Sequence, residues 1–532
     1  MKKILLSVAL LAIKLTSSAQ LVETNYRGAF EPGSTTLWTQ GWASWTAQNN
    51  DYKPTTDNLP LVINTNTTLS KDKVYSMVGY TYVKSGTILT IEAGTVIRST
   101  GENALIIERG AKIYANGTKD LPIVFTSNSA PGSRKAGDWG GVIICGAARH
   151  NLSTGADAKV EGNITAFYGN SDDNDSSGVF RYVRIEFPGQ PQKDIPNSEL
   201  NGLTLAGVGS RTKLEYIQVI NSGDDSFEWF GGTVNAKYLV ALGGIDDDFD
   251  TDNGYRGTVQ FAVSQRNPGS ADQAGSSNGF ESDNDASGSF NTPITQPLFS
   301  NITIVGPKNF GTIVPDAKFG DAALIRRNSA CSIINSILIG YTESGLSLDG
   351  KRTIGNLLSG KLIFQNNYLS NNTLETGATT FRVRGTSDTI VNGSSITSST
   401  ALETFALNSV NNNVIDTDVK GHLVNPQTFI AANVDFRPTD GSQLLAVEED
   451  KLSSNEMVIF PNPASNNFEI ALYNSLTNSI VTIQNAVGAV VATQHAESNT
   501  SRFDISNLTN GLYIVSVRNG NNVINKTLVI NK

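Results

Sequence analysis

A repeat constrains this chain more than any other feature. Residues 216–232, YIQVINSGDDSFEWFGG, lie over residues 238–254, YLVALGGIDDDFDTDNG, at an offset of 22 with no gap. Tyr216 falls on Tyr238, Asp224 on Asp246, Asp225 on Asp247, Phe227 on Phe249 and Glu228 on Asp250. A strand-sized unit recurring at a fixed period cannot bury its apolar face alone, so successive units must stack. YVRIEF at 182–187 reads as the same strand in an earlier unit, and GFESDND at 279–285 repeats the Phe-acid pair as Phe280-Glu281. Upstream, TILTIEAGTVI (87–97) and ALIIERGAKI (104–113) align at an offset of 16. Beyond residue 300 the pattern loosens but persists in SNITIVGP, CSIINSILIG and TFRVRGT. The expectation is an all-β fold: a right-handed parallel β-helix over residues 81–440, three short strands per coil. A β-sandwich with accidental internal similarity is the competing architecture.

Composition agrees. The chain has 532 residues with 49 glycines, is 39% hydrophobic and 17% charged, and so favours turns and strands around a large core over disorder. Its net charge of −9 argues against nucleic acid as a partner and fits a cationic one, or one reached through bound cations. MKKILLSVALLAIKLTSSAQ opens with two lysines, continues with an apolar run and ends in small residues, which reads as a signal peptide over 1–19. That run is too short to span a bilayer, and no later stretch looks transmembrane. Cys145 and Cys331 lie in apolar runs, either joined as a disulfide or buried separately as thiols. The histidines, His150, His422 and His495, are scattered, which weakens any His-based catalysis. Trp38, Trp42 and Trp45 precede the solenoid, within a region (20–80) expected to cap its open N-terminal end. A sugar-stacking platform is the other reading.

The end of the chain differs from the rest. Residues 441–456 read as a polar linker, and 457–532 as a small Ig-like β-sandwich with alternating apolar positions. The PNP at 461–463, the D-I-S-x-L-x-x-G-x-Y-x-V at 504–515 and the terminal K-x-L-V-I-x-K at 526–532 resemble the type A C-terminal sorting domain of the type IX secretion system. The resemblance implies a Gram-negative source, engagement of that secretion machinery, and delivery to the outer cell surface or beyond. GDWGGVIICG (137–146), NGLTLAGVGS (201–210) and SGDDSFEWFGGTVNAKYLVA (222–241) resemble a family of secreted β-helical proteins of no established activity. That resemblance supports fold and export and names no reaction.

The acidic residues carry the functional question. In a stacked solenoid equivalent residues sit about 4.8 Å apart. Two unit charges at that distance repel by roughly 3–4 kcal/mol at an effective dielectric near 20, and by under about 1 kcal/mol in water. Asp224 on Asp246, Asp225 on Asp247, and Glu228 on Asp250 with Glu281 therefore call for solvent, protons or a cation. Calcium, with six to eight oxygen ligands, is the expected cofactor, and Asp252 adjoins the same row. DNDSSG (173–178) and DNDASG (283–288) share the form D-x-D-x-S-G, so Asp173, Asp175, Asp283 and Asp285 are further candidate ligands. They are not EF-hands, because position twelve is Arg184 or Ile294. They read equally as ordinary turns or as half-sites completed by another coil.

If the protein is an enzyme, Asp225 and Asp247, with Asp246, could supply the two carboxyls of a glycoside hydrolase. A calcium-dependent polysaccharide lyase would need a base, for which Arg256 is the nearest candidate. Trp229 and Phe230 are the candidate ligand-binding pair, stacking on a sugar or filling a turn. The favoured reading is a calcium-stabilised binding or adhesion module, with a polysaccharide as possible partner. The alternatives are such a lyase or hydrolase, or a purely structural surface component.

Overall fold

The computed structural model describes residues 21–439 and 457–532, less 153–156, 163, 192–199, 310–312, 373–379, 386–389, 392–393, 410, 417–422, 427–433, 473–478, 486–487, 497–499 and 520–521. The expected signal peptide and linker lie outside the described residues, as does His422.

The chain winds into a parallel β-helix. One face is an eleven-stranded sheet running from Val62–Ile63 to Phe381–Arg384, taking one strand from each coil. Its neighbours pair in parallel throughout. The other two faces merge into a seventeen-stranded sheet. They merge because one bent strand comes to serve both. In Gly178–Glu186, residues 178–181 pair with Lys112–Asn116 while 183–185 pair with Ile123–Ser127. The bend falls at Tyr182, whose φ is +49°.

Strand alternation places the core. In Phe227–Phe230, Phe227 and Trp229 turn inward while Glu228 and Phe230 face outward. The sequence repeat becomes a physical ladder, with Leu203, Phe227, Phe249, Phe280 and Ala323 in register. Phe227 and Phe249 stack at 5.8 Å, and Phe249 and Phe280 lie 5.5 Å apart. Both cysteines are buried free thiols, so no disulfide staples the coils.

Two boundaries and one placement differ from expectation. Parallel pairing begins at Asp57 rather than residue 81, because the first coil uses strands of two or three residues, too short to register as a pattern. Among the described residues it ends at Asp416, and Leu423–Asn425 then pairs antiparallel with Asp435–Pro438. The tryptophan segment does not cover the N-terminal end. It lies along the flank, where Trp42 meets Tyr182 and Tyr216 edge-on at 5.9 and 6.0 Å and Trp38 meets Tyr238 at 5.4 Å.

The last 76 residues, 457–532, form separate sheets of three and four antiparallel strands around their own core, which includes Phe468, Ile483, Val515 and Leu528. The PNP motif is used here. The Asn462 side chain donates to the Thr527 carbonyl at 2.7 Å and accepts from the Val529 N–H at 2.8 Å, clasping the final strand. Lys532 closes the terminal motif, donating to the Ser506 and Leu508 carbonyls at 2.5 Å.

Candidate functional site: an acidic row on the sheet face

The acids gather on the outer face of the eleven-stranded sheet. Strand register puts Thr204, Glu228, Asp250 and Glu281 in one outward column. Asp224, Asp225, Asp246 and Asp247 occupy the turns just before these strands. In three groups, one carboxylate oxygen from each member lies within 4.8 Å of the others: Asp224 with Asp225 and Asp246, Asp225 with Glu228 and Asp250, and Asp247 with Asp250 and Glu281. Asp250 belongs to two of the groups, and its Oδ1 is buried with no hydrogen-bond partner. The stacking expected from the repeat is thus present.

This crowding has an electrostatic cost. Burial, then neighbouring carboxylates, push Asp225, Glu228, Asp246, Asp247, Asp250 and Glu281 well above the usual carboxylate range. Burial followed by Asp283 raises Asp252, beside the row, to about 7. Partial relief comes from Arg266 and the Asn278 N–H beside Asp247, and from groups at the two ends. Asn201 donates to Glu228 and, at 2.7 Å, to Glu161. Arg326 pairs with Glu281 and, at 2.9 Å, with Asp283.

Two of the acids also hold the turns together. The Asp247 N–H donates to Asp225 Oδ1 at 2.8 Å, and the Asn278 N–H to Asp247 Oδ1 at 2.5 Å. The Asp321 N–H donates in turn to Asn278 Oδ1 at 2.9 Å, and Asp321 accepts from Ser344 Oγ at 2.6 Å. The side chains of Asp225, Asp247 and Asn278 each satisfy a backbone N–H of the next coil. Asn278 and Asp321 escaped the sequence reading because insertions stretch these coils to offsets of 31 and 43. Asp248 was also missed, since the repeat sets it opposite Ser226. It forms a fully buried ion pair with Arg266 at 3.1 Å and accepts from Tyr341 Oη at 3.2 Å. Burial lifts its carboxyl to about 6 despite the guanidinium.

Other candidate residues do not join the row. Arg256 is held by Asp173 at 2.6 Å in the turn that follows the strand, whereas Asp225 and Asp247 precede it. It therefore does not face them as a base. Trp229 is fully buried, stacked on Tyr255 at 5.4 Å, and offers no platform. Phe230 is outward-facing but covered, stacked 6.3 Å from Tyr168.

The paired hexapeptides are turns. Although burial opposes it, hydrogen bonds from Arg149 and Arg256 bring Asp173 down to about 2, and Asp175 Oδ2 accepts from the Ala147 N–H at 2.9 Å. Asp283 is bound by Arg326 and Arg327. Asp285 Oδ1 takes three hydrogen bonds, from the Ser287 N–H and Oγ and from the Ser289 N–H, at 2.6–3.1 Å. Their carboxylates are already satisfied, and none converges with another hexapeptide.

A family model described as a pectate-lyase-like β-helix domain matches residues 61–414. The chain belongs to the pectate-lyase-like β-helix family. A second model, the secretion system C-terminal sorting domain, matches residues 458–531. This β-helix protein is therefore exported by the type IX system to the cell surface or extracellular space, and no described helix is long and apolar enough to cross a membrane. No curated protein matches the chain. In chemical terms the acidic row suits a hard cation. Its donors are all carboxylate oxygens, clustered in threes, with one buried oxygen left unpartnered.

Proposed function

We propose that this exported β-helix is a calcium-stabilised binding or adhesion module that works at the cell surface. The supporting observation is Asp250, shared by two carboxylate groups while its buried Oδ1 lacks a partner. A divalent ion there would draw on Asp225, Glu228 and Asp250 on one side and on Asp247, Asp250 and Glu281 on the other. It would offset the mutual repulsion that otherwise requires protons or strain. The sorting domain brings the module to the place where calcium and surface polysaccharide are met.

The family description is lyase-like, and a lyase or hydrolase remains the alternative reading. It has less support. The expected base, Arg256, is tied to Asp173 in another turn. The cations nearest the row, Arg266 and Arg326, are themselves held in ion pairs.

Calcium titration of the mature chain, followed by melting temperature and calorimetry, tests the reading. The expected result is a saturable rise in melting temperature that Asp250→Asn removes. A melting temperature indifferent to calcium and to chelator would overturn it.

A further inference from the structure

A second site lies on the opposite side of the coil, at the bend of the seventeen-stranded sheet. The bend residue has a positive φ in coil after coil: Tyr182, Tyr216, Tyr238 and Phe261 first, then Asn301, Asn335, Asn366 and Asn412. Asparagine tolerates this conformation, whereas a bulky aromatic residue adopts it at a cost of about 1–2 kcal/mol. The backbone demands only the bend, so the aromatic residues are there for their side chains, which seat Trp38 and Trp42 and line the space beside them.

The N-terminal segment shows what differs along the bend. Over the asparagine half it is tightly fastened. Thr24 donates to Asn301 at 3.0 Å, the Gly28 N–H to the Asn335 carbonyl at 2.7 Å, and Arg27 to the Asn366 and Asn412 carbonyls. Gly28 approaches so closely that a Cβ there would lie 2.4 Å from Ile337. Over the aromatic half the segment packs on the ladder through Trp38 and Trp42, and a cleft of about 380 Å³ remains beside these contacts, lined by Tyr26, Phe30 and Trp38 and by the ring ladder. The ladder rings stack at 4.3, 4.4 and 5.3 Å. The charged lining is one carboxylate, Glu31, and one ammonium, Lys119, joined by Gln40 and tyrosine hydroxyls. The Tyr26 hydroxyl is pushed up to about 12 by burial, Glu31 and Tyr238, in keeping with polar ends gathered at one wall.

We propose that this cleft binds a neutral hexose unit of a glycan, with C–H faces against the aromatic wall and hydroxyls toward Glu31, Gln40 and Tyr26. Its size is that of a small-ligand cleft, and a few placed polar groups on an aromatic lining are what such a ligand needs. One positive and one negative charge disfavour an acidic sugar. The site names a ligand class for the binding reading but does not depend on the acidic row.

The test is titration of the mature chain with maltohexaose, cellohexaose and mannohexaose, and with hexagalacturonate as the acidic control, by tryptophan fluorescence and calorimetry. The expected result is saturable binding of at least one neutral probe, unchanged by chelator. Glu31→Gln and Tyr26→Phe, which leave the ring ladder intact, should each weaken it about tenfold. Absence of binding by all three neutral probes at millimolar concentration would overturn the proposal. So would binding confined to hexagalacturonate, or binding that both variants leave unaltered. Loss of the calcium response with sugar binding retained would count against the acidic row alone.

Discussion

The acidic row and the D-x-D-x-S-G turns are built from the same residues and meet opposite fates. At Asp173 two arginines more than offset burial and hold the carboxyl down near 2, whereas Asp252, buried beside other acids, rises to about 7. Asp285 is satisfied by serines and backbone, while Asp250 keeps a buried oxygen without a partner. The number of aspartates in a stretch therefore says little about a site. What separates a turn from a candidate cation site is whether the fold brings counter-charges and donors to the same place.

Converting one class of acid into the other is the most direct challenge to that contrast. Arg266→Met would strip Asp248 of its buried partner and turn a neutralised acid into an uncompensated one. The expected loss is about 3–5 kcal/mol, read from urea unfolding. A smaller loss would mean that Asp248 is relieved by some other group.

Asp250→Asn makes the reverse change, and its sign should depend on calcium. In chelator the substitution removes repulsion and should stabilise the protein by about 1–3 kcal/mol. In saturating calcium it should be neutral or destabilising, because a ligand is lost. The same sign in both conditions would break the distinction drawn here.

A pH series sharpens it further. Asp248 and Asp252 titrate near 6 and 7 in the folded protein, above the ordinary 3.8. Groups raised in this way contribute stability that is present at about pH 4 and lost as pH climbs through their folded values. The melting temperature of the calcium-free protein should therefore fall between about pH 4 and pH 8, and calcium should flatten the decline. Asp173 works in the opposite sense, its contribution fading only as pH drops from about 4 toward 2.

The smallest effect is expected from Arg256→Ala. Its partner Asp173 keeps Arg149, so the cost should be under about 1 kcal/mol and calcium affinity should not change. A large fall in calcium affinity would place Arg256 beside the row after all.

Much of the architecture was legible because a solenoid writes its spacing into the chain. The gapless match of 216–232 to 238–254 became strand register residue for residue, with Glu228 beside Asp250 and Phe227 beside Phe249. Legibility failed where coils carry insertions, as at Asn278 and Asp321, or where strands shrink to two residues, as at Asp57–Asn58. It failed again where partners come from distant sequence. Nothing local in LWTQGWASWTAQ tells a cap over the end from a strap on the flank, because the deciding contacts are with Tyr182, Tyr216 and Tyr238.

The amino-acid sequence by itself determined that this chain stacks coils, which acids become neighbours, and that its tail directs export. Period and register are local properties, repeated until they are unmistakable. Only the tertiary structure decided which acids are neutralised, that Trp229 is core rather than surface, and that an aromatic cleft opens on the far side of the coil. Those outcomes depend on side chains tens to hundreds of residues apart meeting in space, and a pairing of that kind leaves no periodic trace along the chain.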